Sequence, residues 1–349
     1  MKTITIDGQR IGKGHPVFVI AEAGVNHNGS LKRALEHIKK AKDAGANAIK
    51  FQTYTAEKLV TKKAPKYWKV GTDKLTQFET FSKLDEFPMG HYRKMFAYAR
   101  KIGMTVFSTP FDLDSVDLLE KLRVPAYKIS SSDITFFPML KRIAKTKKPI
   151  ILSTGASTIA EIRAAVSYIE RFGNDKIILL QCVLAYPTEQ KDAHLLMIDS
   201  LQRAFPNTPI GLSDHTFSPL TPAFAVMRGA LVVEKHFTVD KSLPDSPDHK
   251  LGVDPHEMRE LVSAVRLAEK SLGVQEKRVL PSERAARRLA RKSVTSAVAI
   301  PKGTRISPAM LIGKRPGTGI PTIDMEKLVG RTAKRNIPED TTMTWSMVR

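Results

Sequence analysis

Eight short apolar runs recur along this chain, and each closes on polar, reactive side chains. FVIAEAGVNHNG (18–29) carries Glu22 and Asn26, AIKFQTY (48–54) carries Lys50 and Gln52, and VFSTP (106–110) ends near Thr109. AYKISSSD (126–133) carries Lys128, Ser131 and Asp133, and IILSTG (150–155) carries Ser153. LLQCVLAYP (179–187), IGLSDHT (210–216) and LVVEKHFT (231–238) complete the set, the last two with Ser213, His215, Glu234 and His236. Runs this short and apolar read as strands buried on both faces, and amphipathic helical patterns separate most of them. Chemistry gathered at the C-terminal ends of eight such strands is the arrangement of a (β/α)₈ TIM barrel, whose active site is built at that mouth. The pattern therefore predicts an enzyme and locates its site.

The helices carry their own punctuation. SLKRALEHIKKAKDAG (30–45) spaces Leu31, Leu35, Ile38 and Ala41 at helical intervals, with Ser30 as N-cap and Gly45 as the stop. TIAEIRAAVSYIERFG (158–173) and PHEMRELVSAVRLAEKSLG (255–273) repeat the pattern, the latter with Pro255 at its start and Gly273 at its end. A long insertion over 55–88, containing YWKVG and FETFSKLDEF, is expected to fold over the barrel mouth.

At 349 residues the chain exceeds a simple barrel of about 250, so a second small domain is expected. The pattern changes where it should. Residues 1–275 form the barrel unit, 276–292 a charged linker of helical character, and 293–349 a small β-rich domain of short runs and Pro/Gly turns. No apolar stretch is long enough to span a bilayer and no signal-peptide core opens the chain, so no membrane association is expected. Cys182 is the only cysteine, which rules out an intrachain disulfide and suits a reducing cytoplasm. It reads as a small buried hydrophobe.

The formal charge is +21. Basic residues are dispersed among acids and aromatics are only 7%, so stacking platforms are scarce and nucleic acid is not the expected partner. The denser basic runs are 141–148 and 277–292. We read the charge as solvated surface that also attracts anionic substrates.

Alternate residues of a strand share a face, so Lys50 pairs with Gln52, Ser213 with His215, and Glu234 with His236. His215 and His236 close adjacent strands. They make either a divalent-metal site, with Glu22 and Asp248 nearby to complete a nitrogen and oxygen shell, or two hydrogen-bonded histidines in a polar pocket. Lys50 and Lys128 lie inside buried strands, where an ammonium requires internal ion pairs, an anionic substrate, or a Schiff-base role. With the hydroxyls of Thr109, Ser131, Ser153 and Ser213 they supply the donors that a phosphate and a carboxylate need. Phosphoenolpyruvate or a similar small phosphorylated acid fits them. No nucleotide-binding glycine loop is present.

The runs IAEAGVNHNG, IKFQTY, FSTPFD, YKISSSD, LSTG, AYPT, GLSDHT and EKHFT, in this order, resemble those of the sialic acid (N-acetylneuraminate or nonulosonate) synthase family. The tail, with KRPGTGI (314–320), resembles that family's antifreeze-like SAF domain. The resemblance implies condensation of phosphoenolpyruvate with N-acetylmannosamine or a related amino sugar, aided by a divalent metal, normally Mn²⁺. It implies Glu22 as the essential acidic residue, His215 and His236 as metal ligands, and Lys50, Thr109, Lys128, Ser131, Ser153 and Ser213 as phosphoenolpyruvate contacts. Gln52, Asp133, Tyr186 and Asp248 match sugar contacts, and Arg315 matches an arginine that the tail inserts into the partner subunit of a domain-swapped homodimer. Two positions depart from the pattern. Leu184 stands where the bacterial neuraminate enzymes carry Asn, and LPDSPDH (243–249) is one residue longer, with Asp245 as the alternative to Asp248.

The sequence reading is thus a C–C bond-forming synthase whose acceptor is left among N-acetylmannosamine, its 6-phosphate and diacetamido-trideoxyhexoses, the net charge leaning mildly to an anionic one. Its rivals are a Schiff-base pyruvate aldolase using Lys50 or Lys128, and a polyanion-binding protein.

Overall fold

The computed structural model describes residues 1–68, 75–85, 87–243, 246 and 248–349. An antiparallel hairpin, β1 (Ile4–Ile6) and β2 (Gln9–Ile11), precedes the barrel. The barrel strands are β3 (Phe18–Gly24), β4 (Ala48–Thr53), β5 (Thr105–Pro110), β6 (Tyr127–Ile129), β7 (Ile150–Ser153), β8 (Ile177–Cys182), β9 (Ile210–Asp214) and β10 (Val232–His236). Each pairs in parallel with its neighbours, and β10 returns to β3 to close the ring. Every residue of these strands except Gln52 is buried, which explains runs without polar alternation.

The connecting helices are α1 (Leu31–Asp43), α2 (Ala56–Leu59), α3 (Gln77–Ser82), α4 (Met89–Lys101), α5 (Leu113–Lys121), α6 (Phe137–Lys145) and α7 (Ile159–Glu170). After them come α8 (Met197–Ala204), α9 (Thr221–Met227), α10 (Asp248–Leu251) and α11 (Pro255–Leu272). The expected caps are present. The Ser30 hydroxyl accepts from the Arg33 amide, Thr158 and Glu161 form a capping box, and Gly45 takes a positive φ of 87° just past α1. Helix α11 starts at Pro255, as expected, because Asp254 caps it in a box with Glu257 and leaves Pro255 at the first helical position.

The first hairpin binds the N-terminal ends of the strands. Gln9 donates to the Asn47 carbonyl and to Thr105, and Asp7 accepts from Thr105. With that end covered, the C-terminal mouth remains for chemistry. The 55–88 insertion supplies α2 and α3 there, with Leu59, Phe81 and Leu84 packed on Val25, Tyr54 and Phe111 from the β3, β4 and β5 ends. Among the described residues, no helix is long and apolar enough to cross a membrane.

The chain divides into compact units Met1–Gly273 and Val274–Arg349. In the second, the segment assigned to a linker holds a short helix, α12 (Arg284–Leu289), whose residues are all exposed. The following domain pairs β11 (Ser293–Ser296) with β12 (Leu311–Lys314) over a small core that includes Val294, Ile306, Leu328 and Met343.

Candidate active site

All thirteen candidate residues of the barrel line one cavity of about 350 Å³ at the strand mouths. Register explains the convergence. Glu22 on β3 lies level with Lys50 on β4 and His236 on β10, Gln52 with Thr109, and Glu234 with Ser213. Side chains that are level in a closed barrel and share its inner face must meet.

The floor of the cavity is a chain of buried opposite charges. Lys50 Nζ is 2.5 Å from Glu22 and 3.8 Å from Glu234, and Lys128 Nζ is 3.5 Å from Glu234. All four residues are 5% exposed or less. Lys50 also donates to Thr109 at 3.0 Å, Gln52 to Glu22 at 2.9 Å, and Ser213 to Glu234 at 3.0 Å. The internal ion pairs open to Lys50 and Lys128 at the sequence level are therefore formed, and Glu234, assigned no role there, is their hub. Burial raises Glu22 to about 7, against the pull of Lys50 and with the push of Glu234. Burial would raise Glu234 as well, but Lys128 and Lys50 outweigh it and hold that carboxyl below its ordinary value. Burial lowers Lys128. Two carboxyls a short distance apart are thus driven in opposite directions, which is how one site provides a proton carrier and a fixed anion.

Hydroxyls surround this floor. Ser131 accepts from the Gly155 amide at 2.8 Å, and the buried Ser153 hydroxyl has no hydrogen-bond partner among the described residues. A Cβ on Gly155 would lie 2.9 Å from the Ser131 hydroxyl and 3.2 Å from Leu184. Leu184 thus packs on Gly155 as an apolar neighbour of the hydroxyl cluster. Ser131 and Asp133 stand on a 3₁₀ turn just past β6 rather than on the strand itself. Tyr186 likewise lies beyond β8, against His215 with ring centroids 4.1 Å apart.

His215 and His236 face each other with centroids 5.3 Å apart. Burial, then the neighbouring charge of His236, lowers His215 to about 3; burial, then Lys50, lowers His236 to about 3. Both rings are therefore neutral at physiological pH, the form that ligates metal. His215 Nδ1 donates to the Val183 carbonyl at 2.7 Å, which leaves Nε2 with the lone pair. His236 Nδ1 has no hydrogen-bond partner among the described residues and lies 3.5 Å from Asp248. Gly24, at φ 51°, leaves room beside Gln52, Glu22 and Asp248, to which a Cβ there would come within 3.3–3.5 Å. This donor set fits a divalent ion with two protein nitrogens and several open positions. It does not enclose one. Among the described residues no three metal-binding side chains converge, and Glu22, offered above as a further ligand, is engaged by Lys50 and Gln52.

Burial raises Asp133 to about 7 and Asp248 to about 6. Asp248 opens α10, which is anchored by the fully buried His249 through Thr238 and Asn28. Asp245 lies outside the described residues. Arg315 belongs to the second unit, exposed on the loop after β12. That loop is held by the Gly317 amide on the Arg288 carbonyl and by Ser293 on the Pro316 carbonyl. Cys182 lines the cavity, and burial raises its thiol, as suits an inert position.

A second buried pair lies behind the site. Lys235 and Asp214 point to the outer face of β10 and β9 and meet at 2.7 Å, both almost wholly buried. Asp214 accepts from the Thr216 amide and hydroxyl, and Lys235 donates to the carbonyls of Thr216 and Ser218. The turn that carries His215 is thereby clamped from outside.

A barrel mouth holding a buried carboxylate–lysine floor, hydroxyl donors and two neutral histidines has the make-up of an enzyme site. Residues 37–277 match the NeuB family and residues 291–349 the SAF domain. The chain belongs to the NeuB family of sialic acid-type synthases. It is 41% identical over 344 residues to the N,N'-diacetyllegionaminic acid synthase of Legionella pneumophila, covering 97% of this chain and 96% of that one. It is 35% identical over 345 residues to the human N-acetylneuraminate-9-phosphate synthase, covering 98% and 95%. The crystal structure of the N-acetylneuraminic acid synthetase of Leptospira borgpetersenii, in complex with citrate, superposes with a TM-score of 0.73 at 35% identity over 82% of this chain and 95% of that one.

The clamp generates a stability prediction. Lys235→Met leaves Asp214 buried without its partner and should cost about 3–5 kcal/mol. Adding Asp214→Leu should recover part of that loss. Chemical denaturation of the metal-free proteins measures both, and a loss below about 1 kcal/mol for Lys235→Met would contradict the clamp.

Proposed function

We propose that this protein condenses phosphoenolpyruvate with an N-acetylmannosamine-type amino sugar to give a nonulosonic acid and inorganic phosphate. The observation that carries the reading is the cavity floor, where two buried lysines and an unpartnered serine hydroxyl stand beside two carboxyls of opposed tendency. Lys50, Lys128, Thr109, Ser131, Ser153 and Ser213 would bind the phosphate and carboxylate, with Glu234 holding both lysines in place. Gln52, Asp133, Tyr186 and Asp248 would orient the acceptor so that its aldehyde carbon meets C3 of phosphoenolpyruvate. A divalent ion, Mn²⁺ by family resemblance, held by His215 and His236 would polarise that aldehyde as a Lewis acid. Glu22, with an ordinary pH near its midpoint, would move the proton as the new C–C bond forms and the aldehyde oxygen becomes a hydroxyl. Water adding at the resulting cationic C2 gives a tetrahedral intermediate, which expels phosphate by C–O cleavage.

The aldolase alternative requires a free amine at Lys50 or Lys128. Both ammoniums instead have carboxylate partners, which favours their use as anion ligands. Arg315 would act from the tail of a second copy, as a lid over the acceptor in a swapped homodimer. A cytoplasmic setting suits the single buried thiol.

Two outcomes follow. Exhaustive chelation should abolish phosphate release that depends on both substrates, and Mn²⁺ should restore it; full turnover by verified metal-free protein would sink the mechanism. Arg315→Ala should lower kcat/KM by about one to two decades, from the roughly 1.5–3 kcal/mol of a charged hydrogen bond. Mixing Arg315→Ala with Glu22→Ala protomers should then regenerate activity, because each heterodimer holds one site with both residues intact. No recovery despite proven subunit exchange would mean that the tail serves its own barrel.

A further inference from the structure

The loop that carries Arg315 combines exposure with glycine, Gly317 and Gly319 standing on either side of the exposed Thr318. Such a segment has the backbone freedom of a mobile turn. Its polar groups are nevertheless tied down. The fully buried Ser293 hydroxyl donates to the Pro316 carbonyl at 2.7 Å and accepts from the Gly319 amide at 2.9 Å, so one side chain spans the turn. Strand register puts it there. Ser293 opens β11 opposite Lys314, the last residue of β12, and bridges Pro321 on the other side of the loop.

A third tie comes from α12. The Gly317 amide donates to the Arg288 carbonyl at 2.8 Å, one of the carbonyls that the last turn of a helix leaves without an intrahelical donor. The approach is close. A Cβ on Gly317 would lie 2.8 Å from the Arg291 Cβ and 3.2 Å from the Arg288 carbonyl oxygen, so any other residue would push the backbones apart. Every residue of α12 is exposed, and the sequence reads it as part of a charged linker. Its contact with the loop gives it a task.

The core of this unit is held by other bonds. The amides of Val294, Ile320 and Met343 donate to the carbonyls of Ile320, Met343 and Val294 respectively. Ser293 and α12 act outside that ring of bonds, on the residues that follow Arg315. A long guanidinium side chain loses rotamer freedom when it binds, and a mobile backbone beneath it would add to the loss. Tying the backbone beforehand removes that part.

We infer that Ser293, together with the contact of α12 on Gly317, positions Arg315: it presets the backbone from which the guanidinium reaches the acceptor. Ser293 is fully buried and acts only through Arg315. The inference rests on the role proposed above for Arg315 and adds the residues through which that role is exerted.

The test is a double-mutant cycle on kcat/KM for the acceptor, with saturating phosphoenolpyruvate and Mn²⁺. The acceptor is whichever of N-acetylmannosamine, its 6-phosphate and 2,4-diacetamido-2,4,6-trideoxymannose the wild-type protein turns over fastest. Ser293→Ala should lower kcat/KM about fivefold or more when Arg315 is present, and less than about twofold once Arg315 is replaced by Ala. Hydrogen exchange on the same proteins shows that the effect is local: the Gly317 and Gly319 amides should exchange faster while those of Val294, Ile320 and Met343 stay protected. If Ser293→Ala loses that core protection, Gly317→Ala takes its place in the cycle; if both lose it, the ties serve folding and the inference falls. Equal losses in both backgrounds, or no loss from Ser293→Ala while Arg315→Ala is impaired, overturn the inference and leave the role of Arg315 standing. An Arg315→Ala enzyme as active as wild type, or no turnover of any acceptor, overturns both.

Discussion

Four deeply buried charged side chains organise this barrel: Glu22, Lys50, Glu234 and Lys128 alternate in sign across its floor. Buried ions of this kind contribute little net stability, since desolvation offsets most of their attraction. Their value lies in position. Lys50 is fixed between Glu22 and Glu234 and Lys128 against Glu234, so a bound anion meets ammoniums that need no reorganisation. Each carboxyl in turn is tuned by its share of the lysines. Glu22, with only Lys50 at close range, is raised to about 7, while Glu234, between both lysines and Ser213, is held low. In the synthase chemistry proposed above, the floor gives a physical reason to assign proton transfer to Glu22 rather than to Glu234.

The same floor explains the rest of the molecule. The outer-face pair Lys235 and Asp214 holds the turn that presents His215, and the Val183 carbonyl selects its tautomer. Helix α10 presents Asp248 because His249 is locked between Thr238 and Asn28. The apolar insertion places Leu59, Trp68 and Phe81 in the lining of the same cavity.

Much of this was legible from residues alone, and the reason is local. A strand buried on both faces leaves a short apolar run that is visible without partners, and the polar residue closing each run marked the mouth. Helix caps at Ser30, Thr158 and Gly45 were readable because they depend on neighbours within four positions. Period two showed that Glu234 shares a face with His236, but nothing local reveals which lysines it meets, because that depends on closure of the ring from β10 to β3. The outward Lys235 and Asp214 are likewise 21 residues apart and meet only through strand pairing. Residues 55–88 resisted closer reading because their apolar side chains follow neither helical nor strand spacing. Leu59, Phe81 and Leu84 are ordered by packing on Val25, Tyr54 and Phe111.

The most direct test of the central claim follows one oxygen atom. If phosphoenolpyruvate is held by this floor while water attacks its C2, the bridging oxygen leaves with phosphate. Phosphoenolpyruvate labelled with ¹⁸O at the bridge, turned over with an amino-sugar acceptor, should deliver the label to inorganic phosphate, read by the isotope shift in its ³¹P spectrum. Label retained in the sugar acid would mean P–O cleavage, and the chemistry assigned to this site would be wrong.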